Sequence, residues 1–101
     1  MKNQLENLLT QALALLQASP TRIIAQAPDL KTALIEALVI FFRESKIKKG
    51  DFAIQYGCKI NYISRLLNGD RDIDVLKLAN VLHSFGWGLK IDVTMVEIVR
   101  L

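Results

Sequence analysis

The stretch from Lys49 to Gly69 constrains this chain more than any other. Ala53 is small enough to let a second helix cross closely, and Gly57, four residues on, can take the left-handed backbone that a tight inter-helix turn requires. Cys58, Ile63 and Leu66 then fall where the following helix must point inward. Lys59, Ile60, Asn61, Tyr62, Ser64 and Arg65 are left facing outward, and most of them are side chains able to reach phosphate oxygens or base edges.

The pattern continues downstream. Asn68-Gly69-Asp70-Arg71 forms a polar corner, and Val75, Leu78, Ala79, Leu82 and Phe85 follow as one apolar helical face closed by Gly86. On these residues the chain resembles the lambda-repressor-like (Xre/Cro-type) helix-turn-helix family over roughly residues 30–94. The run Phe85-Gly86-Trp87-Gly88-Leu89-Lys90-Ile91-Asp92-Val93 resembles the ending of the family's HigA-type antitoxin branch. The resemblance implies a mainly α fold: a five- to six-helix lambda-repressor-like domain, here with an extra N-terminal helix and a C-terminal β-strand. It also implies a homodimer that binds double-stranded DNA at a near-palindromic operator, with the helix from Lys59 in the major groove.

Side-chain chemistry divides the work along that helix. Asn61 suits a bidentate pair with adenine, Arg65 one with guanine, and Ile60 suits a thymine methyl, with Ser64 as a fourth base-facing residue. Lys48, Lys49, Lys59, Tyr62, Asn68 and Arg71 are placed to hold phosphates. Three departures from the family pattern predict modest affinity: Lys49 stands where a phosphate-binding glutamine is usual, Ile73 replaces a proline, and Asp70, Asp72 and Asp74 put carboxylates just past the reading helix. Gly50 is also a poor helix former.

Charge supports this placement. The chain carries a net +3 over 101 residues, yet residues 46–71 hold six basic and two acidic side chains, so the remainder is slightly acidic. Taken alone, Lys46 to Lys49 would read as a solvated lysine-rich loop. A basic footprint coinciding with the two-helix motif is what phosphate neutralisation requires. The length fits one domain, 1–101, divided into a helical extension (1–28), the helix-turn-helix core (30–86) and a strand segment (88–101). Cys58 is the single cysteine, so no internal disulfide can form, and a cytoplasmic location without metal or cofactor is the simple reading. Ala12 to Leu16 is apolar, but Glu6, Asn7, Gln11 and Gln17 break it up as no secretory leader would. The apolar run from Ala37 to Phe42 is far too short for a membrane span.

Periodicity predicts the remaining elements. Leu5, Leu8, Leu9, Ala12, Leu13 and Leu16 give an amphipathic helix over residues 3–17, and Ser19-Pro20 reads as the cap of a short helix through Gln26. Pro28-Asp29 starts the next helix, which runs to about Ser45 with two apolar stripes, Leu34-Leu38-Phe41 and Ile35-Val39-Phe42. Two stripes require cover on two sides, one by the helix-turn-helix core and the other by the N-terminal helix of the same or a partner chain. Helices over residues 48–56, 59–67 and 74–85 follow, with Asp74 as a cap. Leu89, Ile91, Val93 and Met95 alternate as a strand, and the phase changes at Val96, so the strand is bulged or turns back near Met95-Val96. Leu89, Ile91 and Val93 are the dimerisation candidates, since antiparallel self-pairing about a two-fold axis would bury them and could set the reading helices about 34 Å apart.

Enzyme chemistry finds no foothold. His83 is the single histidine, no glycine loop could cradle phosphate, and Val81 stands where a calcium loop opened by Asp70 would need its final acid. The functional alternative is an antitoxin that neutralises a cognate toxin protein and autoregulates its promoter, motivated by the extra residues 1–28.

Overall fold

The computed structural model describes residues 21–101. Its elements are β1 (Arg22–Gln26), α1 (Leu30–Ser45), α2 (Lys49–Tyr56), α3 (Ile60–Leu67), α4 (Val75–Ser84), β2 (Trp87–Asp92) and β3 (Met95–Arg100). Asp29 caps α1: its Oδ1 accepts the Thr32 N–H at 2.8 Å and its Oδ2 the Thr32 hydroxyl at 2.9 Å. Those bonds hold the Asp29 carboxyl below its ordinary range. Asp74 caps α4 through the Lys77 N–H at 3.1 Å.

This architecture corrects the five- to six-helix expectation. The described residues form four helices and a three-stranded antiparallel sheet in the order β1-β3-β2. The short helix through Gln26 is instead strand β1, whose burial alternates with Ile23 and Ala25 inward. So short a segment cannot sustain a helix alone, whereas pairing Ile23 with Ile98 and Ala25 with Val96 buries both against the core. The lone C-terminal strand is a hairpin, and it turns at Val93-Thr94 rather than near Met95-Val96. That turn explains the change of phase: Leu89 and Ile91 of β2 share one face with Ile98 and Val96 of β3 because they lie directly opposite. The expected helix over residues 3–17 lies outside the described residues.

Helix α1 sits between the sheet and the α2–α3 pair, packing on β1 and β3 on one side and on α3 on another. Leu34, Leu38 and Phe41 of its first stripe are buried to 2 % exposure or less. The second stripe is more open, with Ile35 and Phe42 half-buried and Val39 exposed. An aromatic cluster ties the layers together. Phe41 meets Trp87 edge-on at 5.4 Å and Phe52 at 6.3 Å, and Phe52 stacks on Phe85 at 6.0 Å. Trp87 is thereby sealed over the α4–β2 junction, with the Arg100 guanidinium 5.2 Å from its ring centre. Among the described residues, no helix is long and apolar enough to cross a membrane.

Candidate nucleic-acid interface

Helices α2 and α3 are joined by Gly57, Cys58 and Lys59. Gly57 takes φ 81°, and its N–H donates to Ala53 O at 2.9 Å while the Cys58 N–H donates to the same oxygen at 3.0 Å. Only a residue tolerant of positive φ closes the helix this way. Ala53 is 2 % exposed at the crossing, and Ile63 and Leu66 are buried to 1 % and 2 %, so α3 is anchored by two pegs one turn apart. Cys58, expected as a third peg, is half-buried at the edge of the core. Burial pushes its thiol up, with the nearby Lys77 charge opposing that shift.

With those pegs inward, Ile60, Asn61, Ser64 and Arg65 are all exposed. Cys58, Lys59, Asn61, Tyr62 and Arg65 line one shallow open groove, which brings two base-reading candidates together with two phosphate candidates. Tyr62 is less free than its neighbours. Its ring lies 6.1 Å from that of Tyr56 and 5.7 Å from the Arg71 guanidinium, and it is half-buried. Lys48 and Lys59 are exposed at the N-caps of α2 and α3, and Asn68 is exposed at the C-cap of α3. Lys49 falls in a separate depression with Val39, Phe42, Arg43 and Leu67, at the junction of α1 and α2. Ile60 leans over the start of α2, where a Cβ on Gly50 would lie 3.9 Å from its Cδ1.

Two basic residues join the site from outside the stretch that sequence reasoning marked. Arg43, in the last turn of α1, shares the depression with Lys49. Lys77, in the first turn of α4, lies 4.5 Å from the Tyr56 ring centre, beside the turn that carries Cys58. Neither carries a local sequence signal, because α1 and α4 reach this surface only through the tertiary fold. The carboxylates past α3 are partly occupied elsewhere: Asp74 caps α4, and Asp72 lies 3.7 Å from Lys31. Among the described residues, no group of three or more His, Cys, Asp or Glu side chains is gathered to hold a metal ion.

The hairpin residues Leu89, Ile91 and Val93 stand apart from this surface, on and beyond β2, and are half-buried, exposed and exposed in turn. The chain matches no protein-family model, no curated protein and no solved structure.

Proposed function

We propose that the chain is a cytoplasmic, sequence-specific DNA-binding regulator that represses from a near-palindromic operator as a homodimer, with α3 in the major groove. One observation carries the reading. Helix α3 buries Ile63 and Leu66 and leaves Ile60, Asn61, Ser64 and Arg65 exposed together, flanked by the exposed lysines at residues 48, 49 and 59. Side chains able to form bidentate pairs with bases are thus surrounded by charges able to fix the helix on the phosphate backbone.

Selection from a random DNA pool at a stated salt concentration tests this reading. The expected result is enrichment of a two-fold-symmetric sequence whose affinity falls steeply with salt, by a logarithmic slope of about 0.9 per phosphate neutralised. A chain that enriches nothing, and whose residual binding is indifferent to salt, would sink it.

A further inference from the structure

Strand β2 forms one side of the sheet, and among the described residues nothing pairs with its outer edge. The Leu101 N–H donates to Gly86 O at 2.8 Å, and Gly88, Lys90 and Asp92 continue that alternation opposite Val99, Glu97 and Met95. The even-numbered residues therefore turn their backbone groups toward β3. The N–H and C=O of Trp87, Leu89 and Ile91 face away from the sheet, an open row ready for another strand. On this edge Ile91 is 39 % exposed, and Val93, in the two-residue turn just beyond it, is 81 % exposed. Val93 holds φ 55°, the left-handed backbone that a primed hairpin turn imposes on its first residue.

We propose that β2 pairs with β2 of a second copy of this chain, antiparallel about a two-fold axis through Ile91. Directly opposite residues in an antiparallel ladder share a face, so even-numbered residues must meet even and odd must meet odd. An axis through Lys90 would set two ammonium groups opposite each other. An axis through Leu89 would set Lys90 against a glycine and leave Asp92 beyond the ladder. The axis through Ile91 places Lys90 against Asp92 of the partner subunit, Asp92 against Lys90 of the partner subunit, and Ile91 against its own copy. It matches all four charges and sets the exposed Ile91 against its copy. The surface named here is that of the homodimer in the regulator reading, but its test uses no DNA, so either proposal can fail without the other.

Sedimentation of the full chain across a concentration series reads the dimer directly. Lys90→Asp should raise the dissociation constant about tenfold, since it creates two like-charge cross-strand pairs. The double variant Lys90→Asp, Asp92→Lys should recover it. Lys90 also lies opposite Glu97 within the hairpin; both variants carry that internal repulsion, so recovery isolates the contact between subunits. In a Cys58→Ser background, Ile91→Cys should cross-link to its copy under mild oxidation, because hydrogen-bonded opposite residues lie about 5.5 Å apart at Cα, within reach of a disulfide. A wild-type chain that stays monomeric at high micromolar concentration, a charge swap that recovers nothing, or cross-linking by Leu89→Cys in preference to Ile91→Cys would each overturn the proposal.

Discussion

Gly57 holds φ 81° at the turn between α2 and α3, and its own N–H and that of Cys58 both donate to the Ala53 carbonyl. No atom lies within 4 Å of a Cβ added there, so the requirement for glycine is conformational and not steric. Gly57→Val should therefore cost about 1–2 kcal/mol or more in chemical denaturation; an unchanged midpoint would show that the turn is not as described. Residues that read and residues that grip should separate by kind. Asn61→Ala or Arg65→Ala should each lose about 1–3 kcal/mol of specific binding and relax preference at one base position. Lys49→Ala should weaken specific and random DNA alike and lower the salt slope by about one. Equal losses on all sequences for Asn61→Ala, with no change of slope for Lys49→Ala, would reverse these assignments. Tyr62 is expected to behave as neither. Its ring is held between Tyr56 and Arg71, so Tyr62→Phe should leave binding near that of the parent chain, whereas Tyr62→Ala should cost affinity by releasing Arg71.

Helix α2 shows how a weak local choice can be separated from a strong one. Gly50 lies in its first turn and is not among the glycines with positive φ, so its missing side chain serves no backbone need. A Cβ there would make an ordinary contact with Ile60, so Gly50→Ala should stabilise the chain by up to about 1 kcal/mol, seen as a rise in melting temperature. A fall would mean that Ile60 needs the space. The helices were legible because their signals are local. Asp29 and Asp74 cap where caps were expected, Gly57 turns where a turn was expected, and Ile63 and Leu66 fall inward at helical spacing. Strand β1 was not legible. Its partner β3 lies far away in sequence, Arg22 pairing with a glutamate 75 residues on, while Ser19-Pro20 offers a competing helix start nearby. The hairpin was half legible for a related reason. Alternation revealed two phases, but Val93-Thr94 has none of the glycine or asparagine that marks a two-residue loop, so the turn was expected two residues late. Arg43 and Lys77 reach the candidate interface from helices whose own patterns speak only of core packing.

For the molecule as a whole, the sheet joins the first and last described segments across α1 and leaves β2 as an edge on the far side of β3 from β1. Because backbone direction alternates along that edge, the same substitution at adjacent positions should give different results. At Lys90 the N–H faces β3, so Lys90→Pro removes an internal ladder donor and should melt the hairpin, lowering the melting temperature clearly. At Ile91 the N–H faces outward, where an edge strand tolerates proline. Ile91→Pro should then keep helical circular dichroism and lose little stability, yet block any strand from adding to the edge. If the regulator works as a two-fold dimer, this variant should bind an isolated half-site as the parent chain does and lose its advantage on the complete operator, because the second half-site no longer binds intramolecularly. Binding curves on both DNAs, read beside sedimentation without DNA, distinguish the outcomes. Full operator affinity from a variant that sediments as a monomer would mean that a single subunit suffices for recognition. Full affinity from an intact dimer would place the interface on another surface of the chain.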